Sequence, residues 1–242
     1  MYQNSLLIKN IKLIICLSLL LGSSSIAFAS NKSLPQTESS SDHVFISDST
    51  QSGLDISGDM TIGLWVKPTS VETNMPLVSK WNTWIKTQYI LFLEDGELGV
   101  HLNDETNGFG YSTHRADHNH SANEWFHVGV VYKSASGTTE LFVDGQSLGV
   151  DTSAPNSLSN TNAEFSIGGR DDKLVSFTGN IDDVRVWGRA LSSGEMNALY
   201  ASSSSFSNGS DLEGMWKFDE NLNDDSGNSN DLQFSFSTDV PY

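Results

Sequence analysis

Seven short runs of β-type residues, cut apart by turn signals, constrain this chain more than any other feature. They span His43 to Ser47, Met60 to Lys67, Tyr89 to Glu94, Leu98 to Leu102, Trp125 to Lys133, Thr139 to Val143 and Glu164 to Gly168. Spacing this short and regular predicts an all-β sandwich or barrel. In the second run Ile62, Leu64 and Val66 share one face while Thr61, Trp65 and Lys67 share the other, so one side at least is buried. Asp95-Gly96 and Asp144-Gly145 each stand between two runs, and both residue types tolerate the positive φ of a type I′ turn, which predicts two hairpins.

One helix is expected. Ser192 can cap its first turn while Glu195 reaches back to the Ser192 amide, a reciprocal capping box, and Met196, Leu199 and Tyr200 would then cover the sheet edge. The serine-rich stretch from Ala201 to Asp211 reads as a loop, because strand-like sequence resumes at Leu212.

Residues 1–29 read as a signal peptide: Lys9 and Lys12 precede an apolar Leu13 to Leu21, and Ala27-Phe28-Ala29 supplies an A-x-A cleavage site. The apolar stretch is too short to span a bilayer, which takes roughly 20 residues, so no membrane insertion is expected. The protein is expected to be secreted, either periplasmic or extracellular. Residues 30–42 are polar and aperiodic and read as a flexible linker, with the domain covering 43–242. Cys16, the only cysteine, lies within the leader, which excludes a disulfide scaffold or thiol enzyme in the mature chain. With 30 acidic against 13 basic residues and a formal charge of −17, the surface repels nucleic acid and anionic lipid.

The segment FTGNIDDVRVWGRALSSGEMNALY, Phe177 to Tyr200, carries a G-x-I-D-D-V-R-[IV]-[YW] strand followed by an A-L-S-x-x-E-[IM] helix. Met60 to Pro68, Trp125 to Tyr132 and Phe142 to Leu148 supply an F-T-[IV]-x-x-W-like strand, a W-x-H-[VI]-[AG] strand and a hairpin, in that order. Together they resemble a LamG-like jelly roll of the concanavalin A-like lectin/glucanase superfamily. The resemblance implies an antiparallel β-sandwich with one short helix in its C-terminal half. The stretch Leu212 to Asp231 is similar to motifs that often open such a domain, yet here it comes last. One permuted domain is the favoured reading, and a truncated second repeat the alternative.

Asp182, counted by strict alternation, shares a face with Val184 and Val186, which would put a carboxylate on the apolar side. A buried carboxylate needs donors or a cation. The resemblance implies a structural calcium near Asp182, with oxygen ligands from the C-terminal acidic run, Asp225 among them; calcium favours six to eight such oxygens. The other reading is a hydrogen-bonded carboxylate beside a solvated loop. Asp183 and Arg185 are expected to pair across one pleat. Arg170-Asp171-Asp172 reads as a turn.

His114, His118 and His120 form a histidine cluster that could hold zinc or copper, or else line a polar loop. Trp81, Asn82 and Trp84 in KWNTW, with Tyr111 and His114, are candidates to bind sugar by stacking and amide contacts; core packing is the competing fate of the tryptophans. Glu94, Asp95 and Glu97 flank a hairpin, where charge faces solvent, and the alternating E-x-D-x-E strand of laminarinase-type glucanases is absent. The combined reading is a non-catalytic binding module for a glycan. The alternatives are a protein-adhesion module for an extracellular partner, or a glycan hydrolase or lyase. The sequence sets no oligomeric state.

Overall fold

A computed structural model describes residues 33–36, 43–82, 87–104 and 111–235. In chain order its strands are β1 (Leu34–Gln36), β2 (His43–Ile46), β3 (Met60–Pro68), β4 (Met75–Trp81), β5 (Thr87–Glu94), β6 (Glu97–Asn103) and β7 (Tyr111–Asp117). They continue as β8 (Phe126–Lys133), β9 (Thr138–Val143), β10 (Gln146–Asp151), β11 (Phe165–Ile167), β12 (Gly179–Trp187), β13 (Leu212–Trp216) and β14 (Gln233–Ser235). The helix, α1, is Ser193–Ala201. Two seven-stranded sheets form an antiparallel sandwich. The first runs β1-β12-β3-β8-β9-β10 with β13 also on β12, and the second runs β14-β2-β11-β4-β5-β6-β7.

Alternation places the core between the sheets. Ile62, Leu64 and Val66 from β3 and Val128 and Val130 from β8 meet Leu91 and Leu93 of β5 and Ile167 of β11, each at most 1% exposed. Asp95 and Asp144 take φ of 53° and 48° and are followed by Gly96 and Gly145, also at positive φ, so both expected hairpins form. The apolar tryptophan strand β4 and the polar β7 are additions to the runs seen in sequence. Every residue of β4 is buried, which removes the alternation that would announce it.

β1 lies within the stretch expected to be a flexible linker. Leu34, 1% exposed, pairs opposite Ile181 of β12, and the buried Ser33 hydroxyl accepts from the Asn180 amide at 3.2 Å, which together dock this piece of chain.

The capping box forms as expected. The Glu195 N–H donates to Ser192 Oγ at 3.2 Å and the Ser192 N–H donates to Glu195 Oε2 at 2.7 Å. Arg189 donates to the same carboxylate, and these bonds draw its pKa down to about 2. α1 packs beside β10, the edge strand of the first sheet, as expected, and its apolar side chains reach further in. It sits on the outer face of the first sheet, where Met196 and Leu199 join Val131, Phe142, Trp187 and Leu191 in a second apolar cluster. Gly63 and Gly129 permit the approach: a Cβ on Gly129 would collide with Met196 Cε and come within 2.9 Å of the Ile62 carbonyl.

The C-terminal segment completes both sheets of this one sandwich, with β13 antiparallel to β12 and β14 antiparallel to β2. Trp216 is fully buried, stacks on Phe165 at 5.1 Å and donates its indole N–H to the Asn230 carbonyl. Asn230 in turn exchanges hydrogen bonds with the Ser52 backbone at 2.7 and 2.8 Å. The segment closes the sheets from the far end of the chain.

Candidate functional site

The site begins with a break in β12. On one side this strand pairs with β3 from Gly179 to Asp182 and again from Arg185 to Trp187; on the other, Gly179 to Ile181 pair with β1 and Val184 to Trp187 with β13. Asp182 and Asp183 fall between the two partners. There the register against β3 slips, and Asp183 takes a left-handed φ of 47°. This β-bulge inserts one residue and resets the side-chain alternation. Ile181 faces the core opposite Val66, Asp182 stands opposite Trp65 on the outer face, Val184 returns to the core, and Arg185 emerges opposite Gly63. The alternation expected from sequence, with Asp182 beside Val184 and Val186, therefore fails at one left-handed residue.

The Asp183–Arg185 pair forms as expected. Arg185, 2% exposed, donates through Nε to Asp183 Oδ1 at 3.0 Å and through Nη2 to Oδ2 at 3.1 Å. Its remaining donors reach Asn208 Oδ1 at 2.9 Å and the Ser203 carbonyl at 2.7 Å. Asp182 Oδ1 accepts the Asp183 N–H at 2.9 Å.

Above the bulge opens a cleft of about 590 Å³ on the outer face of the first sheet. Its aromatic walls are Trp65 from β3 and Trp125 from the turn entering β8; the bulge supplies Asp182, Asp183 and Arg185. Ser203 and Ser204, in the turn after α1, and Lys217 and Asp219, after β13, complete the rim. Trp65 is half-buried, held edge-on against His127 at 5.5 Å and tilted against Tyr200 at 5.6 Å. Trp125 is 41% exposed. Burial, the larger cause, and the nearby Arg185 together depress the His127 pKa to about 4 against a smaller opposing pull from Asp144, so the ring under Trp65 is a neutral packing surface at physiological pH. Lys217 Nζ lies 2.8 Å from Asp225.

The residues singled out from sequence lie elsewhere or are already occupied. Trp81 is 1% exposed, packed with Ile90 and Phe92, and capped by the Arg170 guanidinium 5.2 Å from its ring, so it is no sugar platform. The Asn82 amide donates to the Asp171 carboxylate. Trp84 lies outside the described residues, as does the Tyr111 side chain; the Tyr111 backbone pairs with Asn103. His114 Nδ1 meets Thr139 Oγ1 at 3.0 Å, and burial lowers its pKa. The other two histidines of the cluster have their own partners. His118 is buried against Phe126, while His120 stacks on the same ring at 4.4 Å and reaches Asp144 at 3.1 Å.

Among the described residues no three His, Cys, Asp or Glu side chains gather around a possible metal position. The C-terminal acidic run is folded upon itself: Asp224 accepts from the Met215, Ser226 and Asn230 N–H groups at 2.8 to 3.0 Å, and Asp225 pairs with Lys217. Among the described residues Asp182 and Asp225 thus do not build the oxygen cage that calcium favours. Sequence reasoning missed Trp65 and Trp125 as site residues, although the outward position of Trp65 in its alternating strand was the available signal.

A family model described as the concanavalin A-like lectin/glucanases superfamily matches residues 38–197. The chain belongs to this superfamily. Among solved structures of the same fold, it resembles the Ruminococcus gnavus IT-sialidase CBM40 bound to alpha2,3 sialyllactose. That match has 16% identity and a TM-score of 0.57, covering 70% of this chain and 97% of that one. A heptameric SAP-like pentraxin from Limulus polyphemus matches at 15% identity and TM-score 0.57, covering 87% and 98%. A putative carbohydrate binding protein from Bacteroides ovatus matches at 16% identity and TM-score 0.59, covering 79% of this chain and 57% of that one. No curated protein matches the chain in sequence. The superfamily model ends before β13, so the Lys217–Asp219 wall of the cleft lies beyond the matched residues.

Proposed function

We propose that this is an exported, non-catalytic carbohydrate-binding module whose ligand lies in the cleft between Trp65 and Trp125. The observation that carries the reading is the pairing of two indole walls with a floor of carboxylates and hydroxyls in one open cleft. A sugar ring offers an apolar C–H face to an aromatic ring and hydroxyls to hydrogen-bonding groups, and a cleft with both kinds of wall suits it. Support also comes from the carbohydrate-binding modules that share the fold, and from the leader and A-x-A site of residues 1–29, which lie outside the described residues. Both Asp183 oxygens are already bonded to Arg185, so that carboxylate serves to fix the bulge rather than to move protons.

The test is a soluble glycan panel titrated against the native chain and a Trp125→Ala variant. A binding sugar is expected to lose about tenfold or more in affinity in the variant. Because Trp125 is 41% exposed, truncation gives up part of its packing, about 1–3 kcal/mol, so the titration is run well below the variant's own unfolding midpoint. Binding that survives Trp125→Ala and Trp65→Phe alike moves the site elsewhere, and release of shortened products from any glycan overturns the non-catalytic reading.

A further inference from the structure

The loop that brings Trp125 to the cleft is built on histidines. It leaves β7 after Asp117 and enters β8 at Phe126. His118, 2% exposed, anchors it: the His118 N–H donates to the Gly96 carbonyl at 3.1 Å, and the His120 N–H donates to His118 Nδ1 at 3.1 Å. Because an amide only donates, Nδ1 presents its lone pair and the ring proton sits on Nε2, which is buried without a hydrogen-bond partner. Phe126, next in the chain to Trp125, stacks on both rings, 5.1 Å from His118 and 4.4 Å from His120.

Acid undoes this arrangement at one atom. A proton on Nδ1 removes the acceptor of the His120 amide and leaves a buried imidazolium with one N–H facing an amide donor and the other unpaired. Around His118, the His120 ring 6.4 Å away is a second site of positive charge, itself beside Asp144 at 3.1 Å and Glu124 at 3.9 Å. Asp117 favours the charged His118 ring, but burial and His120 outweigh it and hold the pKa below its ordinary 6.5. The other wall repeats the pattern. His127 lies 5.5 Å from Trp65 and 6.3 Å from Tyr200 with Nδ1 buried and unpaired, and Asp144 and Arg185 are the charged groups facing it.

Resting on the carbohydrate reading above, we infer that the cleft is an acid-release site: it holds its glycan near neutral pH and lets go by about pH 5, when protonated His118 frees the Trp125 loop. The closed loop binds the proton less readily than a loop opened to water, where the ring returns to its ordinary 6.5, so falling pH favours the open form. A ligand that needs the closed loop loses apparent affinity by the same factor as the closed population.

The loop is tested first without any sugar, by NMR of the native chain from about pH 7.5 to about pH 5. The Trp125 indole N–H resonance is expected to move with the same midpoint as the His118 ring C–H, while buried Trp187 stays in place. His118→Asn keeps an oxygen acceptor for the His120 amide but does not titrate, so Trp125 should hold still in it; if that variant does not fold, the shared midpoint in the native chain decides. A neutral glycan that binds at the upper pH is then expected to weaken about threefold or more at the lower one, reversibly and with an unchanged far-UV spectrum. A Trp125 resonance that does not move, moves with a midpoint of its own, or moves equally in His118→Asn overturns the switch. Movement of Trp125 with His118 at constant glycan affinity overturns acid release and leaves the carbohydrate reading standing. Failure of every sugar to bind at the upper pH overturns the carbohydrate reading and the release that rests on it.

Discussion

At the scale of single residues, function and strain meet at Asp183. Its left-handed φ of 47° is tolerated because the backbone is fixed by sheet pairing on either side and the side chain is locked bidentately to Arg185. The sequence contains the Asp-Asp pair and its arginine, which made the ion pair legible. It contains no mark of the bulge, because any alternation count assumes one residue per pleat. His127, beneath Trp65, gives a pH test. Its Nδ1 is buried without a hydrogen-bond partner, and the folded ring titrates near 4, whereas its ordinary pKa is 6.5. The folded state therefore binds the proton less readily than the unfolded chain. The neutral ring contributes its full stability above about pH 6.5, and that share, about 3 kcal/mol for the shift involved, is lost as pH falls towards 4. His101, also depressed to about 4, chiefly by burial, adds to the same slope. Thermal melts from pH 7 to pH 4 should show a falling midpoint, and His127→Gln should flatten the fall. An unchanged slope in that variant would show that His127 is not its source.

At the scale of elements, the outer face of the first sheet is organised by small residues. Gly63 and Gly129 stand on β3 and β8 where α1 crosses, so Leu199 and Met196 reach the strands directly, and Tyr200 is then placed against Trp65. Gly129→Val should push α1 outwards at a cost of about 2 kcal/mol or more. Through Tyr200 it should also loosen the Trp65 wall and weaken ligand binding. Denaturant unfolding and a glycan titration on the same sample would check both effects; loss of stability with native affinity would uncouple helix from site. The capped helix and both Asp-Gly hairpins were readable from sequence because each rests on local chemistry. β4 and β7 were not, for opposite reasons. β4 is buried on both faces and carries no alternation, so Trp81, a sugar-binding candidate from sequence, in fact closes a buried strand. The polar β7 owes its place to its ladder with β6.

At the scale of the whole molecule, one sandwich is assembled from distant pieces of chain. β1 and β13 share the free edge of β12, and the gap between them is where the cleft opens, so the fold's way of closing its sheet also makes its candidate site. The superfamily resemblance was legible in the motifs of β3, β8 and β12, but motifs give no positions to loops, which is why attention went to Trp81 and Trp84. The six tryptophans make the distinction measurable. Indole N–H resonances, assigned by single replacement, would be followed by NMR during titration with a glycan that binds. The account predicts that Trp65 and Trp125 shift together, while buried Trp81, Trp187 and Trp216 stay in place. Shifts confined to Trp81 and Trp84, with Trp65 and Trp125 unmoved, would contradict it and return the site to the KWNTW segment.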